Sequence, residues 1–297
     1  MRYWTRRSVA DFDRGPGMLD GTDPDSGDGA IGRDAVNVTM NKAQAKSLLA
    51  SVRPAEAQLR RDLAAAYRLV AMYGWDDMIA THLSARVINE NGEDDFLINP
   101  LGMFFEEITA SSLIKVNMKG DVLHDTPYEV NRAGFIIHSA VHAARPDARC
   151  VIHLHTHDGI AVSMLEEGLL PLNQTAMLVA DQVAYHEFEG VAFHEEERER
   201  LATDLGDKPL MILRNHGTLA VGGSIAQAFV LMYMLETSCT VQIRAQGTGR
   251  PLHQPDRAAV AKTAEMSKRP NGMAYADTLA WPPLIRQLDR VNPGYDA

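Results

Sequence analysis

Residues 150–157 of the chain read Cys150-Val151-Ile152-His153-Leu154-His155-Thr156-His157. In an extended strand, successive side chains alternate between the two faces, so the three histidines share one face. Cys150, Ile152 and Leu154 then point to the other face, where a buried layer would suit them. The stretch therefore predicts a strand that has a hydrophobic core on one side and imidazoles on the other.

Two imidazoles that are two residues apart on a rigid strand can bind one cation through neutral ring nitrogens. A third ligand has to come from elsewhere in the chain. His216 is the best candidate, because the apolar run Leu210-Met211-Ile212-Leu213 ends in a turn just before it. Spacing alone leaves a purely structural role open, since a single His-x-His also occurs by chance. His157 either caps the helix that follows or lines the cavity without binding metal.

Composition restricts the class of protein. A chain of 297 residues with 45% hydrophobic content can bury the core of one domain and carry additional tails. The net charge of −10 disfavours nucleic acid and anionic membranes as partners. No apolar run approaches the roughly 20 residues that span a bilayer, and no secretory signal is recognisable. Because only Cys150 and Cys239 are present, we expect no disulfide framework and a cytoplasmic location.

The sequence predicts three segments. Residues 1–38 are rich in Gly, Asp, Arg and Ser and lack apolar periodicity, which predicts a flexible N-terminal extension. Residues 39–250 form the folded domain. Residues 251–297 form a C-terminal tail, irregular as far as Trp281, that folds back as a lid or an interface arm. Within the domain we predict helices at 54–74, 131–144, 195–205 and 225–245, and strands at 84–88, 96–98, 113–116 and 179–186.

Over roughly residues 55–248, the order of the motifs resembles the class II aldolase/adducin family. The motifs are Tyr73-Gly74-Trp75, His82-Leu83-Ser84-Ala85-Arg86, Ile98-Asn99-Pro100-Leu101-Gly102, Glu106-Glu107-Ile108-Thr109-Ala110-Ser111-Ser112-Leu113, Gly134-Phe135-Ile136-Ile137-His138-Ser139, Ala143-Ala144-Arg145-Pro146-Asp147, His153-Leu154-His155 and Asn215-His216-Gly217. The resemblance implies an α/β fold, a three-layer α/β/α sandwich around a largely antiparallel sheet. It also implies a ring-shaped homotetramer with active sites between subunits.

The resemblance implies a metal site as well. In the aldolase members three histidines hold a divalent cation, and their positions match His153, His155 and His216 here. The implied metal is zinc, with iron or manganese as alternatives. Such a metal acts as a Lewis acid on a substrate carbonyl.

The chain departs from the sugar-phosphate aldolases at several positions. Their acid/base glutamate falls on Gly134, and the two serines that bind phosphate fall on Arg132 and Ala133. Their substrate-contacting asparagine is His82, and their catalytic tyrosine falls near Thr175. Arg132 keeps a positive charge and could form a bidentate pair with a carboxylate. These departures disfavour a phosphosugar aldolase and are closer to the adducin head domain and its bacterial relatives.

Several residues could take over the role of the missing glutamate. His82 is either catalytic or structural. His138 lies one helical turn after Gly134 and shares its face, although packing is the favoured role. Glu129 lies in the loop before that helix and either reaches back to the site or is only solvated. Arg86 either binds substrate or pairs with a nearby carboxylate.

We therefore expect a metal-dependent lyase, an aldolase or decarboxylase, that acts on a small carboxylated substrate rather than a sugar phosphate. The first alternative is a non-haem Fe(II) oxygenase of the same fold acting on an aromatic 2-oxo or hydroxy acid, since three histidines leave open metal positions and no carboxylic base is required. The second alternative, a non-catalytic adducin-like scaffold, ranks lower because all three metal-ligand positions are retained and no lysine-rich tail precedes Ala297.

Overall fold

Seven strands form one mixed sheet in the computed structural model, which describes residues 40–190, 195–267 and 273–297. The strands are β1 (His82–Ile88), β2 (Asp94–Ile98), β3 (Ile114–Asn117), β4 (Cys150–Leu154), β5 (Val183–His186), β6 (Leu210–Leu213) and β7 (Gly217–Gly222). Their order across the sheet is β3-β2-β1-β4-β7-β6-β5. Neighbouring strands are antiparallel except β5 and β6, which are parallel.

Helices cover both faces of the sheet. Their bounds are α1 (Lys42–Ser51), α2 (Pro54–Met72), α3 (Arg132–Ala144), α4 (His157–Ser163), α5 (Gln174–Val179), α6 (Glu195–Leu205), α7 (Ile225–Gln246), α8 (Arg257–Ser267) and α9 (Trp281–Val291). Apolar residues of α2 and α7 form one core cluster with one face of the sheet. Residues of α3 and α6 form a second cluster with the other face. The predicted three-layer α/β fold with a largely antiparallel sheet is confirmed.

Side-chain alternation along β4 positions the functional residues. Cys150, Ile152 and Leu154 belong to the cluster beneath α2 and α7, whereas Val151 belongs to the cluster beneath α3 and α6. His153 follows Val151 by two residues and therefore shares its face. The predicted division of this strand into a core face and a histidine face is confirmed.

Two predicted elements differ from the structure. The strand predicted at 179–186 begins only at Val183, because Val179 ends a short helix, α5, which Asn173 caps, and residues 180–182 form a 3₁₀ turn. Likewise, the tail predicted to be irregular before Trp281 contains α8. The carboxylate of Asp256 accepts two backbone N–H groups at the start of α8, as an N-cap does.

The C-terminal segment contributes to the core. Leu288 of α9 is fully buried in the cluster beneath α2 and α7. Arg68 of α2 donates hydrogen bonds to Asn292 Oδ1 (2.9 Å) and to the carbonyl of Pro293 (2.7 Å). A role of residues 251–297 as a lid or interface arm stays a prediction. The extension predicted at 1–38 lies outside the described residues.

Candidate metal centre

Two histidines of the predicted set lie at the end of β4. His153 is inside the strand and 1% exposed, and His155 follows the strand with its side chain 18% exposed. Their Nε2 atoms are 3.0 Å apart. The strand therefore ends with two ring nitrogens directed at the same point.

His216 meets them from the turn between β6 and β7. Asn215 adopts a left-handed conformation (φ 57°), which asparagine tolerates better than most residues. The ring centroid of His216 lies 4.8 Å from those of His153 and His155, and the candidate ligand atoms of the three residues all lie within 4.8 Å of one another. Within the described residues, this is the cluster that could hold a metal ion.

Gly217 permits this approach. A Cβ atom there would lie 2.3 Å from the carbonyl oxygen of Leu154 and 3.1 Å from Cδ2 of His155. Only glycine therefore lets β7 begin so close to the end of β4. Leu154 pairs with Thr218 in this ladder, so the third imidazole is brought to the first two by strand pairing.

Hydrogen bonds to Nδ1 select the tautomer of the His153 and His155 rings. Nδ1 of His153 is 3.0 Å from the carbonyl oxygen of Thr218, and Nδ1 of His155 is 3.1 Å from a carboxylate oxygen of Asp77. Both partners can only accept, so each Nδ1 donates, and the neutral form of each ring then has its lone pair on Nε2. Metal-binding histidines are typically oriented in this way by a carbonyl or a carboxylate.

This donor set fits a divalent cation. When both rings are neutral with the proton on Nδ1, the two Nε2 lone pairs 3.0 Å apart repel unless a positive charge lies between them. Burial, together with the neighbouring histidines, lowers the pKa of His153 well below its ordinary value and that of His216 to about 4. Both rings are thus neutral at pH 7, which is the form that binds metals.

His82 lies beside this cluster and is 3% exposed. Its ring stacks at 6.4 Å on that of His153, and neither of its nitrogens has a hydrogen-bond partner among the described residues. Burial, with smaller contributions from His155 and His216, lowers its pKa to about 3. The structure thus places a neutral imidazole, with an unused donor and an unused acceptor, next to the candidate metal ligands.

Gly134 makes room for that imidazole. A Cβ at residue 134 would lie 2.5 Å from Cδ2 and 2.7 Å from Nε2 of His82. A glutamate at this position is therefore incompatible with the observed ring. His82 thus occupies the space that a side chain at residue 134 would enter.

His138 lies behind His82, with the two rings edge-on at 5.9 Å. It is fully buried, and its Nδ1 is 2.6 Å from Oγ of Ser84. The same hydroxyl is 2.7 Å from Nε2 of His142. His138 therefore belongs to a hydrogen-bonded layer beneath His82.

Arg86 lies along β1 away from the histidine cluster, and a role of Glu129 in the site stays a prediction. Arg86 lies four residues along β1 from His82, about 13 Å at the usual rise of a strand. Its guanidinium binds the carboxylate of Asp94 and the carbonyl oxygens of His142, Arg145 and Ala148, which satisfies a structural role. Glu129 is exposed in the loop before α3.

Arg132 is the first residue of α3, the helix that presents Gly134 to His82. His157 is the exposed first residue of α4, outside the cluster of three. The alternative in which His157 caps α4 is wrong, because Thr156 is the N-cap and accepts the N–H of Gly159.

Two residues of the site have no counterpart in the sequence prediction. Asp77, the partner of His155, lies in a loop whose distance along the chain gives no indication of contact. Glu236 accepts hydrogen bonds from Thr156 and Thr218 below the site. A signal for Glu236 exists in the sequence, since it is the only charged residue in the apolar stretch 225–243.

The fold and the histidine cluster define a protein of the class II aldolase type. Residues 61–243 match the family described as "Class II Aldolase and Adducin N-terminal domain". That match covers more than half of the chain, so the protein belongs to the class II aldolase/adducin family, as its motifs predict.

Individual relatives include bacterial and animal proteins. A Caulobacter vibrioides protein named "Putative aldolase class 2 protein" is 53% identical over 251 residues, covering 84% of this chain and 96% of the relative. Mouse alpha-adducin is 46% identical over 192 residues, which are 64% of this chain and 26% of that protein. The chain thus matches about a quarter of adducin's length.

Solved structures give the same assignment of fold. An aldolase II superfamily protein from Pseudomonas syringae superposes with a TM-score of 0.77 at 47% identity, covering 83% of this chain and 98% of that one. The L-fuculose 1-phosphate aldolase of Glaciozyma antarctica superposes with a TM-score of 0.70 at 29% identity, covering 88% and 98% of the two chains. In the described part of the chain, no helix is long and apolar enough to cross a membrane.

Proposed function

We propose that this protein is a metal-dependent carbon–carbon lyase, an aldolase or decarboxylase, that acts on a small carboxylated substrate. The observation that carries the proposal is the convergence of His153, His155 and His216, with the Nε2 atoms of the first two 3.0 Å apart. These three residues would hold zinc, with iron or manganese as alternatives. When bound, such a metal supplies a Lewis acid that polarises a carbonyl group.

His82 is the residue that we propose to contact the substrate beside the metal. A neutral imidazole has one N–H donor and one acceptor nitrogen, and neither is used within the described structure. Its burial excludes water from the hydrogen bonds that it would make. His82 can therefore donate to one substrate oxygen and accept a proton from another, a role for which His138 is the second candidate.

Two features support a carboxylated substrate over a sugar phosphate. Gly134 leaves no carboxylate to move a proton as the phosphosugar enzymes do, and the ring of His82 excludes one. Arg132, at the start of α3, would pair with a substrate carboxylate in place of the serines that bind phosphate in those enzymes. We propose Arg132 as a substrate-binding residue, with His157 as a candidate at the rim, and a homotetramer as the assembly.

A second function has one observation in its favour. The ligand set consists of histidines alone, and no carboxylate stands at residue 134 to act as a base. An Fe(II) oxygenase acting on an aromatic 2-oxo or hydroxy acid needs open metal positions and no such base. Oxygen consumption with Fe(II) that is absent with Zn(II) would favour this function over the lyase.

The test of the lyase combines metal analysis with a substrate screen. Protein purified without added cations is analysed for metals and then assayed for cleavage of 2-oxo acids and aromatic hydroxy acids. We expect about one divalent ion per chain, and we expect His155→Ala to lose both the metal and the cleavage activity. The matched control is His157→Ala, which should retain the metal. Unchanged turnover in His155→Ala would reject metal dependence, whereas a wild-type protein without metal and without cleavage activity would reject the lyase and favour the scaffold.

A further inference from the structure

A carboxylate is buried beneath the histidine cluster. Glu236 lies in α7 and is only 1% exposed. Burying a carboxyl group costs several kcal/mol unless hydrogen bonds compensate for the lost water. A glutamate buried this deeply in a largely apolar helix therefore needs specific partners.

Two threonine hydroxyl groups are those partners. Oε2 of Glu236 accepts a hydrogen bond from Thr156, and Oε1 accepts one from Thr218. The hydroxyl of Thr156 also accepts the N–H of Gly159 at 2.9 Å, so its own proton is available for Glu236. Each carboxylate oxygen of Glu236 therefore accepts a hydrogen bond from a different segment of the chain.

Both threonines adjoin candidate metal ligands. Thr156 directly follows His155, and Thr218 lies two residues after His216. The backbone carbonyl of Thr218 also accepts the Nδ1 proton of His153. Each of the three histidines therefore lies within two residues of, or is hydrogen-bonded to, a residue that Glu236 holds.

The packing around this carboxylate is tight. A Cβ at Gly159 would lie 3.1 Å from Oε1 of Glu236 and 2.7 Å from Oγ1 of Thr156. Burial raises the pKa of Glu236 to about 7, and the two hydroxyl donors act in the opposite direction by favouring the ionised form. Close packing and the two threonine partners therefore hold the carboxyl group of Glu236 in one position.

We propose that Glu236 is a positioning residue of the metal centre. It ties the segment after β4 to the start of β7, and so sets the distances among His153, His155 and His216 without touching metal or substrate. This inference rests on the proposed function only in requiring that the three histidines bind a divalent ion.

The experiment measures metal binding rather than turnover. Zn(II) affinity is determined by calorimetry, and the d–d absorption spectrum of the Co(II)-loaded protein reports ligand geometry. In Glu236→Leu we expect the Zn(II) Kd to rise about 10- to 100-fold, the usual effect of losing an outer-shell partner, together with an altered Co(II) spectrum. Glu236→Gln should recover most of the affinity, because its amide oxygen still accepts one hydroxyl group.

The matched control is Gln242→Leu. Gln242 lies in the same helix, is equally buried at 1% exposure, and bonds the backbone of Gly168 and Leu170 instead. This variant should lose stability and keep the wild-type Kd and spectrum. If Glu236→Leu does not fold, Thr218→Val serves in its place, because it removes one hydroxyl group at nearly constant shape.

The outcomes separate this inference from the proposed function. An unchanged Kd and spectrum in Glu236→Leu or Thr218→Val, or an equal loss in Gln242→Leu, would overturn the role of Glu236. If wild-type protein binds zinc tightly and cleaves no substrate, the lyase proposal fails and the role of Glu236 stands. If wild-type protein binds no divalent ion, both fail.

Discussion

The ring of His82 and the bare backbone of Gly134 depend on each other. A methyl group at residue 134 would come within 2.5 Å of the imidazole, and the ring is buried on its other sides. Interiors are packed too densely to absorb such an overlap without displacing atoms. A histidine ring in this position at residue 82 therefore requires a very small residue at 134.

This dependence predicts a non-additive pair of substitutions. Gly134→Ala should lower the free energy of unfolding by about 1–3 kcal/mol beyond any change in helix propensity, since it forces the His82 ring from its position. In the His82→Ala background the same change should cost little. Urea denaturation of the four proteins measures the coupling.

Gly223→Ala is the control for that cycle. Its added methyl would meet only the end of the Gln227 side chain, at 3.1 Å, which can move away. Strictly additive effects at residues 82 and 134 would show that the ring does not occupy this space in solution.

The sequence indicates candidate ligands more readily than their partners. His153 and His155 are recognisable because their spacing matches the period of a strand. His216 could be proposed because an apolar run ends beside it. Asp77 could not, since a carboxylate in a loop carries no periodic signal and its contact with His155 spans 78 residues of sequence.

At the scale of elements, α3 and β1 are joined by a chain of hydrogen bonds. Nδ1 of His142 is 3.2 Å from the carbonyl oxygen of Ala148, so that nitrogen donates and Nε2 of the ring accepts. Ser84 must then donate to His142 and accept from Nδ1 of His138. The chain consequently leaves His138 with its lone pair on Nε2.

Substitution of Ser84 tests this assignment. In the wild type we expect ¹⁵N chemical shifts of a neutral His138 protonated at Nδ1. Ser84→Ala should allow a mixture of the two tautomers and lower the free energy of unfolding by about 1–3 kcal/mol, because it leaves buried ring nitrogens without partners.

Ser139→Ala is the matched control for Ser84→Ala. Ser139 is fully buried in α3, the helix that carries His138 and His142, but its hydroxyl donates only to the local carbonyl of Ile136. This variant should leave the histidine shifts unchanged. An Nε2-protonated His138 in the wild type would contradict the assignment.

Elements that combine clear hydrophobic periodicity with a cap were predictable. A short helix that depends on its cap alone was not. Ser224 caps α7 as the sequence indicates, accepting the N–H of Gln227. The apolar stretch before His186 suits either a strand or a helix. Its first part is helical, with Val179 at the end of the Asn173-capped α5 and residues 180–182 in a 3₁₀ turn, so the strand is shorter than predicted.

At the scale of the whole molecule, strand order decides which residues meet. The β1–β4–β7 neighbourhood aligns His82 with His153 and places Thr218 opposite Leu154. Local periodicity cannot give this order, because it depends on which strands pair across more than 60 residues of sequence. The family resemblance supplies it, and for that reason the fold could be predicted in more detail than the hydrogen-bonded layers beneath the site.

The same arrangement buries several neutral imidazoles in one unit. Burial is the main cause that lowers the pKa of His82 and His142 to about 3 and that of His138 and His153 well below the ordinary value. In the unfolded chain these groups titrate near the usual value of about 6.5. Below that pH the unfolded state binds more protons than the folded state, so stability falls as pH falls.

We therefore expect the metal-free protein to lose stability steeply between pH 6.5 and 4, by about 1.4 kcal/mol per pH unit for each such histidine. Glu236 acts in the opposite sense, because its pKa is raised and its contribution is lost as pH rises toward 7, but it is a single group. Denaturant titrations from pH 7 to 4.5 measure the slope, which His82→Leu should reduce and the exposed control His253→Ala should not. Saturating zinc should shift the transition to lower pH, since it binds only the neutral rings. A stability independent of pH in this range would contradict the burial of neutral imidazoles on which the proposed site depends.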